Sequence, residues 1–105
     1  MACLNMELET LAYNYLLYHN NTPISEKELK NIIFRISNYT GRYIFCTDYN
    51  IYSLVEKYPN IFTTKKHKIL LLKEAYKNKI YYKYFNFGYS KDILNLIQEV
   101  NLERG

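Results

Sequence analysis

Ser25 is followed three residues later by Glu28, inside the run Thr22-Pro23-Ile24-Ser25-Glu26-Lys27-Glu28-Leu29. This is a capping box: the serine hydroxyl accepts from the Glu28 backbone N–H, and the Glu28 carboxylate accepts from the Ser25 N–H. Two donors that a helix N-terminus otherwise leaves unpaired are thereby satisfied. Ile24 before the cap and Leu29 at the fourth helical position add a hydrophobic staple. Pro23 cannot sit inside a helix, and Asn20-Asn21-Thr22 before it are turn formers. The chain therefore breaks here, and any helical periodicity on the two sides belongs to separate elements.

Upstream, Leu8, Leu11, Ala12, Tyr15 and Leu16 recur at helical spacing, with Glu7 and Glu9 in the first turn where they complement the helix dipole. The spacing predicts helix one over Met6 to His19. Downstream, Leu29, Ile32, Ile33 and Ile36 form one stripe, with Lys27, Lys30, Asn31 and Arg35 elsewhere, so helix two is expected to end near Asn38 to Gly41. Arg42 to Cys46 reads as a short strand or extended connector. Thr47, Asp48 and Asn50 are candidate caps for helix three, whose apolar positions are Ile51, Leu54, Val55 and Tyr58 and which Pro59 stops.

Ile61 to Thr63 and Lys68 to Leu72 read as hairpin strands around a basic turn, Thr64 to His67. A helix from Lys68 to Lys77 is the competing reading, because Leu70, Leu71, Leu72, Glu74 and Ala75 are good helix formers. Ile80 to Phe87 is aromatic and β-prone, which suggests a third strand. Ser90 then caps a closing helix with Ile93, Leu94, Ile97 and Val100 on one face; it could serve as a lid on the core or as a homodimer contact. The expected fold class is α+β: a winged-helix-like three-helix core with a β-hairpin wing plus a C-terminal helix. At 105 residues the chain suits one domain, with residues 8–72 as the core module and 76–105 as the C-terminal strand and helix.

Charge is distributed unevenly. Residues 1–64 carry five basic and six acidic side chains, whereas residues 65–84 carry Lys65, Lys66, Lys68, Lys73, Lys77, Lys79 and Lys83 against Glu74 alone. The overall net charge of +4 thus originates in the hairpin and the twelve or so residues after it, interleaved with Tyr76, Tyr81, Tyr82 and Tyr84. Lysines neutralise phosphates and release counterions, and exposed tyrosines stack on unpaired bases. The competing explanation is a solvated lysine face: Tyr, Asn, Lys and Ile all have A/T-rich codons, so an AT-rich genome (phage, large DNA virus, low-GC bacterium or parasite) would inflate the lysine count.

The stretch from Leu8 to Leu72 resembles the winged-helix superfamily, in particular its HARE-HTH type. The resemblance rests on the opening helix, on Thr22 to Leu29, on Asn50-Ile51-Tyr52-Ser53-Leu54 opening helix three, and on Asn60-Ile61-Phe62 through Lys68-Ile69-Leu70-Leu71-Leu72 as the wing. It implies nucleic-acid binding, with DNA as the expected partner and transcription regulation as an expected role. Helix three would be the reader through Asn50, Tyr52, Ser53 and Lys57. The wing, with Lys65, Lys66, His67 and Lys68, would contact the backbone, and Glu56 would oppose it.

Other chemistry is less well supported. Cys3, Cys46, His19 and His67 lack the spacing of metal ligands, and two cysteines without a leader-like N-terminus read as reduced thiols in an intracellular protein. Glycines occur only at 41, 88 and 105, which leaves no glycine-rich phosphate loop, and no cofactor is expected. No run of apolar residues is long enough to span a bilayer, so no membrane role is expected. Catalysis is not expected either, although a small ribonuclease built on Arg35, Arg42, Tyr43 and Lys65 remains open. A protein-binding module of viral or phage type, using a tyrosine-rich face to inhibit or adapt a host protein, is the main alternative.

Overall fold

Ser25 and Glu28 exchange the two hydrogen bonds of the capping box, Ser25 N–H donating to Glu28 Oε1 at 2.9 Å and Glu28 N–H to Ser25 Oγ at 3.2 Å. The computed structural model describes residues 3–5, 8–40, 43–45, 51–79 and 91–99. In chain order the elements are β1 (Cys3–Asn5), α1 (Leu8–Tyr18), α2 (Glu26–Thr40), β2 (Tyr43–Phe45), α3 (Ile51–Lys57), β3 (Phe62–Lys65), β4 (Lys68–Leu71), α4 (Lys73–Asn78) and α5 (Lys91–Glu99). The fold is α+β, helices packed with a two-stranded antiparallel hairpin.

Helix α1 is the centre of the molecule. Every residue from Leu8 to Leu17 is buried, including the polar Glu9, Thr10 and Asn14. Its sequence explains this: Glu9 is its one charged residue, so no face demands water, and a helix apolar nearly all round stabilises itself by being covered on all sides. Strand β4 and α5 pack against it. The Asn14 side-chain NH2 donates to the Thr10 carbonyl at 2.8 Å. Around α1 the core continues through Leu29, Ile32, Ile33 and Ile36 of α2, Ile51 and Leu54 of α3, Phe62, Ile69 and Leu71 of the hairpin, Ala75 of α4 and Ile97 of α5. Each fully buried Leu, Ile or Phe stabilises the fold by about 1.5–3 kcal/mol before chain entropy is deducted.

The hairpin register pairs Phe62 with Leu71, Thr63 with Leu70, Thr64 with Ile69 and Lys65 with Lys68. Alternation along the strands places Phe62, Thr64, Ile69 and Leu71 on the core face and Lys65 and Lys68 on the other. On its second edge β4 meets the α1–α2 connection: Ile24 and Ile69 exchange backbone hydrogen bonds at 3.0 and 2.8 Å. The Asn21 side chain does the same for Leu71. The staple residue Ile24 is therefore also a one-residue strand.

Three expectations need adjustment. The basic turn is tighter than Thr64 to His67: the strands reach Lys65 and Lys68, and only Lys66 and His67 form the loop. Leu72 is not a strand residue but the N-cap of α4, whose helix over Lys73–Asn78 vindicates only the second half of the helical alternative. Strand β2 lies within the expected Arg42 to Cys46, and it pairs in parallel with β1, which the periodicity of residues 1–6 did not announce. The proposed third strand, Ile80 to Phe87, and the caps Thr47, Asp48, Asn50 and Ser90 lie outside the described residues. Helix α5 fulfils the lid role, with Ile97 fully buried against α1 and α2. No helix among the described residues is long and apolar enough to cross a membrane.

Candidate functional site

The turn joining β3 to β4 carries Lys66 with φ 52° and His67 with φ 64°. Positive φ at both central residues is the signature of a type I′ turn, whose twist matches the hairpin and which ordinarily takes Asn-Gly. Holding a side chain with a Cβ in this region costs about 1 kcal/mol per residue. The register adds a second cost, because Lys65 faces Lys68 directly across the strands and like charges at that separation repel. All four residues of Lys65-Lys66-His67-Lys68 are exposed. The tip is thus built from residues that local stability would not select, and strain of this kind gathers at binding sites.

One contact steadies the tip from outside. The Tyr52 hydroxyl, at the start of α3, hydrogen-bonds His67 Nδ1 at 2.7 Å. Tyr52 is 44% exposed, and its hydroxyl ties α3 to the turn. Beneath this bridge runs an open groove of about 520 Å³, lined by Ser25, Glu26, Lys27 and Lys30 of the α2 start, Ile51 and Tyr52 of α3, and His67 of the turn. Lys27 and Lys30 are exposed, and the turn residue His67, which also lines the groove, sits in sequence between Lys66 and Lys68 of the tip.

The structure divides the site residues expected from the sequence. Tyr52, Lys65, Lys66, His67 and Lys68 come together at the tip and its bridge. Ser53 is half-buried. Lys57 leaves the group: five positions along α3 from Tyr52, it reaches Glu9 Oε2 of α1 at 3.6 Å and lies 5.9 Å from the Tyr58 ring centroid. Lys73, Lys77 and Lys79 are exposed but follow the far end of β4, roughly 10 Å or more from the turn at strand rise. Asn50 and Lys83 lie outside the described residues.

Sequence reasoning missed the other wall of the groove. The positions of Lys27 and Lys30 off the apolar stripe were readable from helical periodicity, but not that the fold sets the α2 start beside α3 and the turn.

The remaining candidates fall elsewhere. His19 stacks on Tyr15, ring centroids 4.0 Å apart, and its Nε2 lies 3.1 Å from the Ile97 carbonyl oxygen. A carbonyl can only accept, so Nε2 carries the proton and His19 anchors α5. Arg35 is half-buried on α2 and near enough to Tyr15 to favour its ionised form, and Arg42 lies outside the described residues. Among the described residues no group of three or more His, Cys, Asp or Glu side chains could hold a metal ion. No protein-family model, curated protein or solved structure matches the chain.

Proposed function

We propose that this protein binds nucleic acid through the tip of its β3–β4 hairpin and the adjoining groove, and that it acts by binding and not by catalysis. The observation that carries the reading is the tip itself. Lys65, Lys66 and Lys68 cluster on an exposed two-residue turn that is strained at both central positions, and Tyr52 is hydrogen-bonded to it. A cluster of ammonium groups held together against its own repulsion is stabilised by a polyanion, and a phosphate backbone supplies one. The chain order supports the reading, since the exposed basic hairpin β3–β4 follows the helices α1, α2 and α3.

The role of α3 differs from that of a duplex-reading helix. It spans seven residues, Ile51–Lys57, and contains no Arg, Asn or Gln to read base edges in pairs. Its lysine is drawn to Glu9, and Glu56 is exposed where phosphates would be repelled. In this reading α3 serves as a support for Tyr52.

The test is a titration of a labelled oligonucleotide at several salt concentrations, on the wild type and on the Lys65→Ala, Lys66→Ala, Lys68→Ala triple variant. The wild type loses affinity as salt rises, and the variant's slope of log K against log salt is smaller by about 2. Affinity insensitive to salt, or a slope unchanged in the triple variant, refutes the reading.

A further inference from the structure

The large hydrophobic side chains that stand exposed among the described residues are Phe34 and Tyr52, both aromatic. They belong to different helices: Tyr52 of α3 lines the groove together with Lys27 and Lys30, and Phe34 lies further along α2. On α2, Phe34 stands seven residues beyond Lys27, two turns along, which returns it to within about 20° of the same direction and places it roughly 10 Å further along the axis. Lys27 and Tyr52 both line the groove. The outward row of α2 therefore runs from Lys27 and Lys30 at the groove to Phe34 beyond it.

We infer that the ligand is single-stranded nucleic acid, with one unstacked base seated in the groove against the Tyr52 ring and a neighbouring base on Phe34. This rests on the nucleic-acid reading above and makes it specific. The groove volume of about 520 Å³ lies within the range of about 300–1,000 Å³ that holds a small ligand, which suits one nucleobase with its sugar. The groove also contains Glu26, whose carboxylate would repel a phosphate but accepts from the amino group of a base. Base inside and phosphates outside, along Lys27, Lys30 and the hairpin tip, is the arrangement that fits these charges. A duplex keeps its bases stacked and paired, and so offers neither aromatic ring a face to stack on.

The experiment measures, by fluorescence anisotropy, the affinity of a labelled short single-stranded oligonucleotide and of the duplex of the same sequence. The proteins are the wild type, Tyr52→Ala, Tyr52→Phe and Phe34→Ala. The wild type prefers the single strand. Tyr52→Ala and Phe34→Ala each lower single-strand affinity by roughly 10-fold, in line with the loss of one stacked base; Phe34→Ala leaves duplex affinity unchanged, and Tyr52→Ala lowers it no further than Tyr52→Phe does. Tyr52→Phe keeps the ring but loses the hydroxyl bonded to His67, so it retains most of the single-strand affinity and separates stacking from support of the turn. Equal binding of single strand and duplex, or equal losses for both with Tyr52→Ala, overturns the inference while leaving a salt-sensitive lysine contact intact. If no oligonucleotide binds in a salt-sensitive way, the parent reading and this one fail together.

Discussion

The side-chain amide of Asn21 takes the place of a strand against Leu71, donating to its carbonyl at 3.0 Å and accepting from its N–H at 2.8 Å. Three residues along, the Ile24 backbone serves Ile69 in the same way. In a two-residue hairpin with this register the N–H and C=O groups of Ile69 and Leu71 point away from β3, so β4 would be left with an open inner edge. The α1–α2 connection closes it. The φ of 54° at Asn21 presents the amide to β4, and asparagine tolerates that conformation better than most residues. The hairpin is thus attached to the helical body by polar pairing as well as by apolar burial.

Asn21→Ala leaves both Leu71 groups without their partner in a buried setting and is expected to destabilise the protein by about 2–3 kcal/mol, read as a lower urea midpoint. Asn21→Asp keeps the acceptor and loses the donor, and is expected to cost about half as much. A midpoint unchanged in Asn21→Ala would mean that apolar packing alone holds the hairpin.

How far this could be read in advance depended on the range of each interaction. The start of α2 was legible because its signal is contained in eight residues, Thr22 to Leu29, and the hydrogen bonds form between neighbours. The α3 stripe Ile51, Leu54, Val55 was legible for the same reason. Asn21 reads as a turn former, but its partner lies 50 residues away, and no local pattern specifies such a pairing. The two-residue turn escaped because Lys66-His67 lacks the Gly, Asn or Asp that announces type I′. At the site, exposure of Lys65, Lys66 and Lys68 follows from their charge, while the pairing of Lys57 with Glu9 depends on the end of α3 lying beside the start of α1. Local rules failed most where Lys66 and His67 break them, which is where the binding reading places its centre.

Glu9 supplies a second stability prediction. Its side chain is only 8% exposed and accepts from the Tyr58 hydroxyl at 3.0 Å, while Lys57 approaches at 3.6 Å with its own side chain 65% exposed. The tyrosine bond is part-buried and charge-assisted, whereas the lysine's attraction is screened by water. Tyr58→Phe is expected to cost about 1.5–3 kcal/mol and Lys57→Ala less than about 1 kcal/mol in denaturant unfolding. The reverse order would mean that the ion pair, and not the hydroxyl, keeps Glu9 buried.

Tyr15 gives the fold an alkaline limit. Burial first, and then the Glu28 carboxylate, raise its pKa above the ordinary tyrosine value of 10.0, while Arg35 partly offsets them. The unfolded chain ionises this hydroxyl at the ordinary value, so the folded state holds the proton more tightly. The resulting stabilisation is complete below pH 10 and is lost as pH rises through the folded pKa. Comparing unfolding at about pH 8 with about pH 11, Tyr15→Phe should lose less stability than the wild type. Equal losses would place the alkaline sensitivity on the other tyrosines.

The hairpin tip allows stability and binding to be separated in one variant. Lys66→Asn together with His67→Gly gives the turn the residues that its positive φ values favour, relieving about 1 kcal/mol per strained position. The exchange also removes the exposed hydrogen bond between Tyr52 and His67, which offsets part of the gain. A net stabilisation of about 1 kcal/mol should raise the melting temperature by roughly 4–8 °C in a domain of this size. At the same time one ammonium group leaves the tip and Tyr52 loses its tether, so the slope of affinity against salt should fall by about 0.7 and single-strand affinity with it. A more stable protein that binds less well is the outcome expected if the sequence Lys66-His67 is retained for its ligand. If stability rises and oligonucleotide affinity is unaffected, the strain in the turn has no connection with binding.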